Sequence, residues 1–308
     1  MAIAGADRII DFSLGQAHLS VRFGQLVIRR DDAPDVSTPL SEIAVVVLAS
    51  KQVTLTQSVL SGLMEAGAAV VVADDAMLPS GLMLPLAGHT SQTQRMIAQA
   101  SASQPRRKRI WQQIVQAKIL SQAAALMLRR GHSGGLEHLS TRVGSGDPGN
   151  VEAQAAQRYW PLLFDDPNFR RRRDANDQNQ LLNYGYAILR ATIGRAICAV
   201  GLHPSLGVFH KSRNNPYCLA DDLLEPWRAL IDLEVAEIVS EAGPDAPLDS
   251  GAKRRLAGLL HERLMHDGES RTVFDWISRS ATSLATALST DLPVPQIRLF
   301  FPDGLVKP

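Results

Sequence analysis

Between Gly207 and Arg228 the chain reads GVFHKSRNNPYCLADDLLEPWR, which sets His210 ahead of a tight carboxylate group, Asp221, Asp222 and Glu225. Imidazole nitrogen with carboxylate oxygen is a ligand set for a hard or borderline divalent cation such as Mg²⁺ or Mn²⁺. With about 3.6 residues per helical turn, Asp222 and Glu225, or Asp221 and Glu225, share one helix face. Like charges held that close repel unless a cation lies among them. Each residue also has a plainer reading. His210 follows the apolar pair Val208 and Phe209, as a half-buried structural histidine would. Asp221 and Asp222 suit the first turn of a helix, where carboxylates meet the positive end of the dipole. Glu225, just before Pro226, suits a helix entry.

A second segment shifts the balance. GNVEAQAAQRYW, Gly149 to Trp160, follows the turn residues Gly146-Asp147-Pro148-Gly149 and predicts a helix capped by Asn150, with Glu152 in its first turn. Taken with GVFHKS and ADDLLEPWR, with NQLLNYGYAILRA (Asn179 to Ala191), with RIWQQIVQAKILSQA (Arg109 to Ala123) and with VVVADDAMLPSGLMLP (Val70 to Pro85), this segment resembles the CRISPR-associated integrases, the first protein of the adaptation module (the Cas one family). The resemblance extends over nearly the whole chain and rests on the order and spacing of these pieces.

The resemblance implies that Glu152, His210 and Glu225 are the metal-binding, catalytic residues, with Asp222 as a neighbour, and that Mg²⁺ or Mn²⁺ is the cofactor. It implies a metal-dependent DNA integrase that inserts short duplexes into a CRISPR array, the 3′-hydroxyl of the captured duplex attacking the repeat boundary in a transesterification. It also implies a homodimer formed through the N-terminal region and a small second adaptation protein as a bridging dimer, with the effector nuclease as a further candidate partner. The wording LADDLLEPWR points to the type II form. Two alternatives stay open: a nuclease that cuts branched DNA by hydrolysis with the same three ligands, and a non-catalytic DNA-binding scaffold.

These residues need elements to position them. The first 90 or so residues alternate as strands do: Arg8 to Ser13, a hairpin of His18 to Phe23 and Leu26 to Arg30 turning at Gly24-Gln25, and the apolar runs Ile43 to Leu48 and Val70 to Ala73 around a helix between Leu55 and Ala66. After Gly88 the pattern becomes helical, with candidate helices Gln92 to Ala102, Arg109 to Arg129, Val151 to Leu163, Asn179 to Val200, Pro226 to Ser240, Ala252 to His266 and Arg271 to Ser289. From Leu292 on, the loss of periodicity reads as a loosely held tail. The expected fold class is α+β: a β-rich dimerisation domain over 1–90, a larger all-α catalytic, DNA-binding domain over 91–298, and a C-terminal tail over 299–308.

A chain of 308 residues exceeds the size at which one core usually stops growing, in keeping with two domains. The net charge of +1 hides an asymmetry: residues 1–90 carry −4 and residues 91–308 carry +5. Candidate phosphate contacts are Arg170, Arg171, Arg172 and Arg173, with Lys211 and Arg213 flanking His210, because each such contact positions a DNA backbone. Arg106 to Arg109 opens a helix with four more cations, Lys253 to Arg255 reads as a solvated face, and Trp111, Trp160, Tyr184 and Tyr186 read as packing residues. Two cysteines with no CxxC spacing argue against a structural zinc site and a disulfide framework. Apolar runs such as Ile43 to Ala49 fall far below the ~20 residues needed to span a bilayer, so the expectation is a cytoplasmic protein with no membrane partner.

Overall fold

The computed structural model describes residues 8–12, 15–31, 33–74, 79–87, 89–172, 177–266, 268–290 and 293–299. Its strand-rich part opens with β1 (Arg8–Phe12), β2 (Ala17–Arg22), β3 (Gln25–Arg30) and β4 (Ala33–Pro39). It continues through β5 (Ile43–Leu48), β6 (Val53–Leu55), α1 (Gln57–Glu65), β7 (Ala69–Ala73) and β8 (Pro79–Met83). Two four-stranded sheets result, one ordered β1-β5-β7-β8 and the other β4-β3-β2-β6. In the first, β1, β5 and β7 run parallel and β8 antiparallel. The expected hairpin forms, but its two-residue turn is Phe23-Gly24, both with positive φ, one residue earlier than the sequence suggested. β4 escaped the sequence reading because it is polar and carries Pro34 and Pro39, the composition of an edge strand whose residues mostly face water.

The apolar run Ile43–Leu48 is buried on both faces. Ile43 and Val46 of β5, with Val70 of β7, meet Leu19, Leu26, Val59 and Leu63 in a small core between the sheets and α1. Val45, Val47 and Val71 point the other way and join the core of the helical region. The strand-rich region is therefore packed against the helices along the face of one sheet.

That helical region contains α2 (Gln92–Ser101), α3 (Gln104–Arg130), α4 (Leu136–Ser140), α5 (Val151–Phe164) and α6 (Asn179–Ala199). After α7 (Cys218–Leu224), a 3-10 turn at Glu225–Trp227 leads into α8 (Arg228–Ala242) and then α9 (Ser250–Gly258). α3 starts at Ser103 with Pro105 in its first turn and ends where Gly131 adopts φ 74°. At about 1.5 Å per residue its 27 residues span roughly 40 Å. α6 runs through the middle of the helices, with sixteen of its 21 residues buried. Its Gly185 lets α8 approach closely: a Cβ there would stand 2.4 Å from Ile231 Cγ2.

Two stretches depart from expectation. The helix predicted over Ala252 to His266 stops at Gly258, and Arg263–His266 instead forms β9, paired antiparallel with β10 (Glu269–Thr272) ahead of α10 (Val273–Ser289). The Asp267-Gly268 dipeptide between them is a strong hairpin signal that leucines 259, 260 and 264, at helical spacing, obscured. The segment after Leu292 is held: Ile297 and Leu299 are buried, Ile297 N donates to Gln113 Oε1 at 2.8 Å, and Ser280 Oγ donates to Arg298 O at 2.6 Å. Residues 300–308 of the expected tail lie outside the described residues.

Candidate active site

Four separate pieces of chain meet at one place. α5 brings Glu152, the 3-10 turn after α7 brings Glu225, the loop before α7 brings His210, and α3 brings a residue that was not anticipated, Lys118. The start of α5 is set by Asp147, whose carboxylate accepts hydrogen bonds from Val151 N (2.9 Å) and Glu152 N (3.0 Å). Asn150, expected to cap this helix, makes no side-chain cap and instead takes a left-handed backbone, φ 48°, which asparagine tolerates better than most residues.

The ammonium of Lys118 lies between the two glutamates, 2.5 Å from Glu152 Oε1 and 2.6 Å from Glu225 Oε2. Arg228, three residues on from Glu225, adds a second cation at 3.0 Å. Burial alone would push Glu225 up, but Arg228 and Lys118 outweigh it and hold the carboxyl at about 2. Burial likewise works against the charge on Lys118, and Glu225 and Glu152 more than compensate, leaving its pKa above the ordinary value. Lys118 falls seven residues after Trp111 and four after Ile114, both buried, so it occupies the apolar stripe of α3. A cation on a buried stripe implies a counter-ion, and that was the available signal.

Asp222, completely buried, organises the histidine loop. Its Oδ2 accepts from Val208 N (2.6 Å) and Phe209 N (3.1 Å), and its Oδ1 accepts from His210 N (3.1 Å) and from His210 Nδ1 (2.7 Å). Gly207 permits this wrap, because a Cβ there would stand 2.4 Å from His210 O and 3.0 Å from Asp222 Oδ2. The Asp222 hydrogen bond, which outweighs partial burial, raises the His210 pKa. With Nδ1 committed to Asp222, Nε2 is the nitrogen left for a ligand. Phe209 turns back and stacks on Trp111, ring centroids 4.1 Å apart. Asp221 serves a different purpose, accepting from Arg190 Nε at 2.7 Å and Asn215 Nδ2 at 2.6 Å.

Behind Glu225 lies a polar network in the core. Asp232 accepts from the hydroxyls of Tyr159 (3.1 Å) and Tyr186, and the guanidinium of Arg228 covers the Tyr186 ring at 4.6 Å. Burial pushes Asp232 up to about 7 despite these partners. Tyr184 and Tyr186 thus pack in α6 as expected, but both hydroxyls are used, that of Tyr184 on Asp11. Trp111 is buried as expected, while Trp160 is half-buried.

Of the three expected ligands, the structure brings Glu152 and Glu225 together around one cation and orients His210 through Asp222. Among the described residues, no group of three or more His, Cys, Asp or Glu side chains stands close enough to hold a metal ion. The donor types nonetheless suit Mg²⁺ or Mn²⁺. Glu225 Oε2 is fully covered from water and faces the cations of Lys118 and Arg228. A carboxylate behind the histidine is the usual outer support of a metal-binding imidazole. In the chemistry of their donor atoms the residues present therefore fit such an ion, with the lysine ammonium standing between two of the expected ligands.

The proposed phosphate contacts divide. Lys211 and Arg213 are exposed beside His210, and Arg170 and Arg172 are exposed as well. Arg171 is half-buried and has partners within the chain: its guanidinium donates to Asn179 Oδ1 (2.7 Å) and Asn183 Oδ1 (2.6 Å) and lies over Tyr186, which anchors the turn before α6. Arg173 lies outside the described residues. Arg106 and Arg107 are also spent internally, on Leu288 O and on carbonyls including Gly207 O. Lys253, expected on a solvated face, is buried over the Tyr184 ring. Among the described residues, no helix is long and apolar enough to cross a membrane.

Comparison with known proteins places this geometry in context. The family described as CRISPR associated protein Cas1 matches residues 14–243. A CRISPR-associated endonuclease Cas1 of Neisseria meningitidis serogroup C (strain 8013) is 35% identical over 288 residues, covering 91% of this chain and 92% of that protein. Among solved structures, a casposase bound to integration product superposes with a TM-score of 0.76 at 20% identity, covering 94% of this chain and 95% of that one. A chain of a Cas6-RT-Cas1–Cas2 complex superposes with a TM-score of 0.77 at 20% identity, covering 98% of this chain and 37% of that one. At these identities the two structures show a shared fold.

Proposed function

The chain belongs to the CRISPR-associated protein Cas1 family, and from that premise we propose that it is a metal-dependent DNA integrase of CRISPR adaptation, of the type II form, acting in the cytoplasm. The observation that carries this reading is the convergence of Glu152 on α5 and Glu225 after α7 on a single cation, with His210 oriented by a fully buried carboxylate.

Glu152 and Glu225 would hold Mg²⁺ or Mn²⁺ through carboxylate oxygens and His210 through Nε2. When bound, the ion supplies charge neutralisation for a phosphodiester becoming more negative and orients attacker and leaving group. Asp222 fixes the imidazole by taking its Nδ1 proton in a hydrogen bond. Arg228 keeps Glu225 ionised and aimed. Lys211 and Arg213, exposed on either side of Ser212, would meet backbone phosphates. In the reaction, the 3′ oxygen of the captured strand forms the new bond to phosphorus and the 3′ oxygen of the repeat strand leaves, so no water is consumed.

Inserting a duplex needs two such transfers at separated positions, and hence at least two copies. The acidic residues 1–90 are free to pair them in a homodimer. A dimer of the small second adaptation protein as spacer is supported by the likeness to a chain from a complex named for Cas1 and Cas2.

The test is a gel assay for joining of 3′-hydroxyl duplexes to a repeat-bearing plasmid, with and without EDTA. Glu152→Ala, His210→Ala and Glu225→Ala should each abolish joining while circular dichroism stays helical. Two of the three retaining near wild-type joining would remove the proposed site, and cleaved branched DNA whose new 5′-phosphates carry the water oxygen, with no joined strand, would favour hydrolysis.

A further inference from the structure

Lys118 has no part in the ligand set described above, yet it is the residue that makes the site one object. Glu152 and Glu225 are carried by elements that are far apart in sequence, and the ammonium from α3 touches both. Among the described residues, Glu152's carboxylate has no other ion partner, whereas Glu225 keeps Arg228. The lysine side chain is 12% exposed, so water does little to screen either contact. Two carboxylates brought together under a protein roof repel strongly unless a cation separates them.

We propose that Lys118 is a positioning residue that acts as a built-in stand-in for the metal: its ammonium holds Glu152 and Glu225 together in the metal-free protein and is displaced when a divalent cation binds. This rests on the metal-dependent reading above and adds to it a competitor supplied by the chain itself. Lys118 and Arg228 neutralise Glu152 and Glu225, so an incoming ion meets no net negative charge from these four groups until the ammonium withdraws. Metal affinity is thereby traded for a site that is assembled before metal arrives.

The experiment uses the full chain and three variants, Lys118→Met, Lys118→Arg and the pair Lys118→Met with Glu152→Gln. Two quantities are read: the melting temperature in EDTA, and the dissociation constant for Mn²⁺ by titration calorimetry without DNA. Lys118→Met should melt about 5 °C or more below wild type in EDTA, because the buried carboxylate of Glu225 and the partly buried one of Glu152 then face each other with one cation between them fewer. Lys118→Arg should lose little. Adding Glu152→Gln to Lys118→Met should restore most of the loss, since it removes one side of the repulsion.

For Mn²⁺, Lys118→Met should bind about tenfold more tightly than wild type, equivalent to ~1.4 kcal/mol of removed competition. An unchanged melting temperature for Lys118→Met, or no recovery in the double variant, overturns the holding role. Mn²⁺ binding by Lys118→Met that is equal to or weaker than wild type overturns the displacement. If wild type binds no Mn²⁺ at all, the metal-dependent reading falls and takes the competition with it, whereas the EDTA melting temperatures still decide the holding role.

Discussion

At the scale of single residues, the chemistry is set by which carboxylates keep their charge and which hydrogen bonds aim the imidazole. Asp222 accepts four hydrogen bonds from three consecutive residues, so Asp222→Asn replaces one of its acceptor oxygens with a donor facing a donor. It should lower stability by about 2 kcal/mol and strand joining by about tenfold or more, measured by urea unfolding and the plasmid assay. Two titrations act in separate pH windows. Glu225 is depressed from 4.5 to about 2, so its share of the stability is present above pH 4.5 and is lost as pH falls through about 2. Asp232 is raised from 3.8 to about 7, so its share is lost as pH rises from 3.8 through about 7. Asp232→Asn should flatten the fall in melting temperature across the upper window and leave the acid limb in place. Glu152, His210 and Glu225 could be singled out from sequence because their pattern carries a resemblance. For Lys118 the sequence offers only a cation on an apolar helical stripe, which implies a counter-ion but does not say which carboxylates supply it until the chain is folded.

At the scale of elements, periodicity and local turn chemistry located most of the helices and the buried strands. They failed where tertiary pairing decided the outcome. Arg263–His266 has spacing that suits a helix and becomes a strand because β10 is there to pair with it. The boundary of α5 was found correctly for the wrong reason, since the capping carboxylate comes from Asp147 rather than from Asn150. One close approach of two helices is more specific than any periodicity could reveal: Gly185 of α6 faces Ile231 of α8, on the same helix as Arg228 and Asp232. Gly185→Ala should destabilise by about 1–3 kcal/mol through overpacking. Ile231→Ala in the same chain should recover part of that loss, with a cost below the sum of the single changes, read from urea midpoints.

At the scale of the whole molecule, charge is unevenly distributed, with −4 on residues 1–90 and +5 on the remainder. Arg171 is tied to Asn179 and Asn183, whereas Lys211, Arg213, Arg170 and Arg172 are exposed and are the proposed phosphate contacts. Converting these four to alanine should flatten the slope of log K against log salt by about 0.9 for each phosphate that is no longer neutralised, while Arg171→Ala should chiefly lower the melting temperature. Sedimentation at micromolar concentration should give a dimer, with two-ended integration only when the small second adaptation protein is supplied. The four pieces of the site come from α3, α5, the loop before α7 and the turn that opens α8, spread between residue 118 and residue 228. A nascent chain leaving the ribosome therefore carries the glutamate of α5 long before it carries the partner glutamate and the arginine that keeps it charged. Under the proposed function the chain is in this way inert during early synthesis: fragments that end before residue 228 of the 308 lack the partner glutamate, its arginine or both, so the site exists only in chains translated past that point and folded.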